Sequence, residues 1–141
     1  MTVNGKIVEF LKVIRESLDM LREYERVPLG EFRNDRKMQD IVEREFERAT
    51  MACVDIGARL ISSRRLTPAS NYIEIFTRLL DQRVVSGDLS EAMKDFVRFR
   101  NILTHEYFQI SPEKVHENLT TRLKYFVEYA KAVDLMFPGE R

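Results

Sequence analysis

Phe96-Val97-Arg98-Phe99-Arg100-Asn101-Ile102-Leu103-Thr104-His105-Glu106-Tyr107 is the stretch on which the reading of this chain turns. The apolar residues Leu89, Met93, Phe96, Leu103 and Tyr107 fall on one helical stripe, and Arg100 stands inside it where a core residue is due. The steps alternate between threes and fours, the spacing that keeps side chains on one side of a helix. An unpaired guanidinium taken out of water costs several kcal/mol, so Arg100 needs an acid, a partner chain or an anionic ligand. The stripe is pierced by a site or opens onto one.

His105 follows Arg100 by five residues, which on a regular helix turns it about 140° away. A distorted last turn, or a second copy of the segment, would bring the two together. Neither glycine nor proline interrupts the chain between Asp88 and Ile110, and Ser111-Pro112 then reads as the N-cap and first position of the next helix. His105 and Tyr107 are therefore placed at the end of one helix, beside a corner.

The rest of the chain reads as helices. With 141 residues, 44% hydrophobic and 33% charged, residues 1–141 form one domain large enough for a real core. Lys plus Arg equals Asp plus Glu at 23 each, so any RNA contact must come from a local cluster and not from a basic domain. The lone Cys53 lies on an apolar stripe as a small hydrophobe, and with no signal peptide this favours a reducing, cytoplasmic setting. No apolar run approaches the roughly 20 residues that cross a bilayer.

Val3, Ile7, Phe10, Ile14, Leu18, Leu21 and Tyr24 mark a first helix that ends before the turn Pro28-Leu29-Gly30. Asn34 or Asp35 caps a second, whose stripe Met38, Val42, Ala49, Cys53, Ile56 and Leu60 runs to about Ser63. Beside that stripe stands Asp55, with Gly57 allowing a close helix approach. Asp55 has two candidate partners: Arg100, which it would orient from behind the site, or Arg59 one turn on. Arg64-Arg65 suits the negative end of the helix dipole. A third, shorter helix spans about Ala69 to Gln82 with Tyr72, Ile75, Phe76 and Leu79 buried, and the fourth carries the motif. A fifth runs from Pro112 through Val115, Leu119, Leu123, Phe126, Ala130, Val133 and Phe137 to Pro138-Gly139. The expected architecture is all-α: an antiparallel bundle of four main helices plus the short third one.

A histidine exchanges protons near neutral pH, and a guanidinium stabilises the added negative charge of a pentavalent phosphorus. His105 as general base or acid, Arg100 on the phosphate and Asn101 orienting either suffice to cleave RNA through the ribose 2′-hydroxyl without a metal. DNA would resist. In-line transesterification benefits from two proton-transfer groups, a reason to expect two motifs across a symmetric dimer cleft. His116 lacks any matching context and reads as a solvated residue. No spacing among His105, Glu106 and His116 puts three ligands on one helical face, so neither a metal nor another cofactor is expected.

Arg100-Asn101-Ile102-Leu103-Thr104-His105-Glu106-Tyr107 resembles the Arg-x4-His-x-Tyr motif of HEPN proteins, and its surroundings resemble the HepT-like toxin branch. Glu43-Arg44-Glu45 leading to Ala52-Cys53-Val54-Asp55-Ile56-Gly57, and Asn71-Tyr72-Ile73-Glu74-Ile75-Phe76, fall in that family's order. The resemblance implies a HEPN-like bundle and a homodimer with an endoribonuclease site at its cleft. It further implies a toxin–antitoxin pair in which a minimal nucleotidyltransferase transfers AMP from ATP to Tyr107. The modification would add bulk and a phosphodiester charge beside Arg100. The competing reading is a catalytically inactive helical module that binds the nucleotidyltransferase.

Overall fold

The computed structural model describes residues 3–137, without the side chains of Val3 and Asn4. The first member of the opening stripe and the stop at Pro138-Gly139 thus lie outside the described residues. Helix α1 spans Val3–Arg22, α2 Leu29–Arg33, α3 Arg36–Ser63, α4 Tyr72–Asp81 and α5 Gly87–His105. A 3-10 turn at Tyr107–Gln109 leads to α6 (Pro112–Thr121) and α7 (Leu123–Asp134). The fold is an all-helical bundle, and no helix of the described residues is long and apolar enough to cross a membrane.

Side-chain caps fix the helix starts. Asp35, Asn71, Ser86 and Ser111 each accept the backbone N–H three residues on, satisfying a donor that the helix cannot. With 28 residues, α3 extends about 42 Å, crosses the whole bundle and packs on every main layer. Its antiparallel contact with α1 sets Arg59 over the Phe10 ring at 4.8 Å. Gly57 is the point of closest approach to α4, where a Cβ would collide with Ile75.

The core that places α5 is aromatic. Phe96 stacks on Phe126 with ring centroids 4.2 Å apart, and Phe46 of α3 meets the edge of Phe99 at 5.4 Å. Phe46 also touches Phe96 and Phe126, so one ring of α3 locks α5 and α7 at once. Deeper along α3, the Tyr129 hydroxyl donates to the Cys53 carbonyl at 2.8 Å. Cys53 is fully buried and its thiol is pushed well up by burial, which removes it as a nucleophile.

Four details differ from the sequence reading. Pro28-Leu29-Gly30 opens the short helix α2, because Pro28 supplies an extended residue before the first turn and Phe32 is drawn wholly into the core. The third helix begins at Tyr72 and leaves that side chain 42% exposed, so its buried face is Ile75, Phe76 and Leu79. The last long helix is broken at Arg122, where neither proline nor glycine stands. There Thr120 and Thr121 turn their hydroxyls back onto the carbonyls of His116 and Glu117, competing with the helix ladder. Arg122 leaves the axis to reach Asp95 and cover the Phe96 and Tyr125 rings. His116, finally, is half-buried against Phe32 and donates from Nε2 to the Val27 carbonyl at 2.7 Å, so it is a structural residue and not a solvated one.

Phe46→Ala should cost about 3–5 kcal/mol, since it removes the ring shared by three helices. Chemical unfolding would read this as a large fraction of a total stability of about 5–15 kcal/mol. A cost near that of a surface change would place the organising contact elsewhere.

Candidate functional site

Helix α5 runs regularly to its end: the Glu106 N–H still donates to the Ile102 carbonyl at 3.0 Å, the ordinary α-helical spacing. No distorted last turn brings Arg100 and His105 onto one line. The two stand on separated azimuths of the same helix, with Asn101 and Thr104 on the surface between them.

Arg100 is half-buried at its stripe position. Its buried Nε has no hydrogen-bond partner, and NH1 makes only a long 3.4 Å contact to the Asn101 Oδ1. Among the described residues no carboxylate pairs with it, although Arg98, two positions before, pairs with Asp95 at 2.8 Å. Buried polar groups are nearly always satisfied, so a guanidinium left this way is prepared for something the single chain does not supply. His105 is exposed at the α5 C-terminus, and its imidazole has no bonded partner among the described residues. It is free to exchange protons with a bound molecule.

The chain then turns sharply. Glu106 leaves the helix, Gln109 donates back to the Glu106 carbonyl at 2.7 Å, and Ile110 anchors the turn against the core. The outcome is that Tyr107 and Phe108 project into solvent, 73% and 74% exposed, edge to face with centroids 6.2 Å apart. Tyr107 is thus not the core residue that stripe arithmetic makes it. The helix ends at His105, two residues before Tyr107.

Two features of the surroundings had no sequence signal. Thr104 contacts the Glu47 carboxylate at 3.4 Å, which ties the motif helix to the first half of α3 across 57 positions of sequence. On another part of α5, Arg98 and Arg122 both pair with Asp95, and Lys114, paired with Glu117, lines the same cleft of about 230 Å³. Arg122 comes there only because the last helix breaks. No group of three or more His, Cys, Asp or Glu side chains suited to a metal ion occurs among the described residues.

Among the described residues no hydrogen bond or ion pair joins Asp55 to Arg100. Burial raises the Asp55 carboxyl above the usual range, and Arg59 is the cation that partly offsets this. A carboxyl raised in the folded state binds its proton more tightly there than in the unfolded chain. Stability is therefore lost as pH rises from the usual carboxylate range through the raised value. Asp55→Asn should accordingly be the more thermostable form at pH 7, with the difference in melting temperature closing toward pH 4. An Asp55 clamped by Arg100 would give the reverse order, with the variant less stable at pH 7.

Comparison with known proteins bears on this geometry. A family model described as ribonuclease HepT-like matches residues 14–133. The chain is 25% identical over 124 residues to the tRNA nuclease HepT of Aphanizomenon flos-aquae, covering 88% of this chain and 84% of that one. It is likewise 25% identical over 104 residues to the mRNA nuclease HepT of Shewanella oneidensis, covering 74% and 78%. The fold superposes on the tri-AMPylated HEPN toxin of Shewanella oneidensis, solved in complex with MNT antitoxin, with a TM-score of 0.87 at 21% identity over 96% of this chain and 99% of that one. It also superposes on YutE of Bacillus subtilis, a cytosolic protein of unknown function, with a TM-score of 0.83 at 14% identity over 94% and 89%. With its family match running through the motif helix and most of the bundle, the chain belongs to the HepT-like ribonuclease family.

Proposed function

We propose that this chain is the toxin of a toxin–antitoxin pair: a metal-independent endoribonuclease that works as a homodimer and is silenced by adenylylation of Tyr107. The observation that carries the proposal is Arg100, a half-buried guanidinium with an unbonded Nε and no acid among the described residues. A phosphodiester is the ligand that such a group fits, since it brings both negative charge and acceptor oxygens.

In this mechanism His105 removes the 2′-hydroxyl proton, and the resulting alkoxide attacks the adjacent phosphorus. Arg100 holds the non-bridging oxygens as charge builds on them, and Asn101 orients the guanidinium or the substrate. The 5′-oxygen leaves with a proton from a second acid, and a 2′,3′-cyclic phosphate remains. Because α5 is regular, one chain keeps Arg100 and His105 on different azimuths. A second copy across a twofold axis supplies both the missing alignment and a second histidine as the acid. The cationic cleft of Arg98, Lys114 and Arg122 is the local cluster that a chain of zero net charge needs to hold RNA.

Silencing by a minimal nucleotidyltransferase partner agrees with the exposure of Tyr107, whose ring stands free two residues past His105. The relatives named as tRNA and mRNA nucleases, and the AMPylated toxin solved with its antitoxin, support the same reading.

Incubated with RNA in EDTA, the wild-type chain should cut and leave cyclic phosphate ends. His105→Ala should lose at least about a hundredfold in rate while keeping its helical content, because His105 is exposed and unbonded. Arg100→Ala should lose comparable activity. Inert wild-type protein whose intact mass shows no added AMP would defeat the nuclease reading, as would a His105→Ala variant that cuts normally.

A further inference from the structure

Between the N-terminal half of α3 and the 3-10 turn lies a cavity of about 370 Å³. That is within the range of small-ligand sites, about 300–1,000 Å³. Tyr107 lines it, together with Arg36, Gln39 and Glu43 on one side and Leu103 and Ile110 on the other. The three polar residues come from one face of α3 at helical spacing, and each keeps bonding capacity that the chain does not use.

Arg36 engages Asp40 through Nε at 3.0 Å, which leaves both terminal nitrogens of its exposed guanidinium free. Gln39 spends its amide N–H groups on the carbonyls of Phe32 and Arg33, at 2.9 and 3.0 Å. That fixes the side chain so that only its carbonyl oxygen, an acceptor, remains. Glu43 is half-buried and has neither a hydrogen bond nor an ion pair among the described residues. Burial, and after it the neighbouring Asp40, raise its carboxyl, while Arg36 partly offsets this, and its oxygens have no bonded partner among the described residues.

One cation at the rim, one fixed acceptor, one unbonded carboxyl and the aliphatic side chains of Leu103 and Ile110 form a set that suits a purine nucleotide. Adenine presents a donating amine beside an accepting ring nitrogen, whereas guanine presents an acceptor where adenine has its amine. We propose that this cavity seats the AMP transferred to Tyr107, with Arg36 on its phosphate, Gln39 and Glu43 on its base and ribose, and Leu103 and Ile110 against one face of the purine. The proposal rests on the adenylylation reading above and adds where the nucleotide goes. In the transfer itself, the Tyr107 oxygen bonds to the α-phosphorus of ATP, the bond to the bridging oxygen breaks, pyrophosphate departs and the phenolic proton passes to the partner enzyme. Once seated, the nucleotide ties the turn that follows His105 to α3. The silenced toxin is then held in one conformation as well as carrying an extra charge.

The test uses the full chain adenylylated by its cognate nucleotidyltransferase with ATP, the modification being followed by intact mass. Folded, modified protein is then exposed to a non-specific phosphodiesterase, and AMP release is timed. Glu43→Ala should release AMP about tenfold faster than wild type, the change expected for one lost hydrogen bond of ordinary strength. Glu43→Gln, which keeps the side-chain length and an acceptor oxygen, should restore slow release, and Arg36→Ala should also be fast. Equal release rates in all four proteins, with modified masses, would overturn the docking alone. A wild type that gains no mass would overturn the silencing reading and the docking with it, and the mass spectrum tells the two failures apart.

Discussion

Everything at the motif depends on how the Phe46 ring is held. It meets Phe96, Phe99 and Phe126, so a single side chain of α3 fixes the rotation of α5 and its height against α7. Given that rotation, the next position on the buried stripe, Arg100, has nowhere to go but partly inward. The same rotation turns Asn101 and Thr104 outward and sends His105 to the far side. The placement of Arg100 and His105 is therefore a by-product of core packing along a regular helix, which explains why the two do not converge within one chain. A rigid aromatic core positions them well but cannot bend α5 to bring them together, because a distorted turn would cost backbone hydrogen bonds that the regular helix makes.

How much of this was legible in the sequence follows the range of the interaction involved. Helix spans and caps come from spacing and from side chains three residues away, so α1, α3, α5 and the cap Ser111 are legible directly, and the α3 cap is narrowed to Asn34 or Asp35, of which the structure uses Asp35. The oddity of Arg100 was readable for the same reason, since one charged residue on an otherwise apolar stripe violates a local rule. What escaped depends on distant partners. The break at Arg122 answers to Asp95 and two aromatic rings, and the burial of His116 answers to Phe32 and Val27. No window of sequence contains those pairs.

Tyr107 is the instructive intermediate case. Stripe arithmetic assigns it to the core, and the arithmetic is sound as far as the helix lasts. The helix stops at His105, however, and the 3-10 turn rotates the next two side chains outward. Burial of a terminal residue is set by where the helix stops, and periodicity carries no signal for that stop. Asp55 shows the opposite limit: its partner one turn away, Arg59, was a local candidate, and electrostatics in the folded chain run to that neighbour.

The exposed turn also explains why control would be exerted there. A protein cannot regulate a site by altering its packed core without risking the fold, because a few kcal/mol is much of its stability. Residues 107–109 contain no buried side chain, so a group attached to them perturbs no packing. Yet the turn is pinned on both sides, by the Glu106 N–H in the last α5 hydrogen bond and by Ile110 against the core. A substituent on Tyr107 is thus delivered close to His105 and to the free face of α3 with little loss of chain entropy. Accessibility without looseness is the physical requirement for a covalent switch, and within this chain it is met beside the motif.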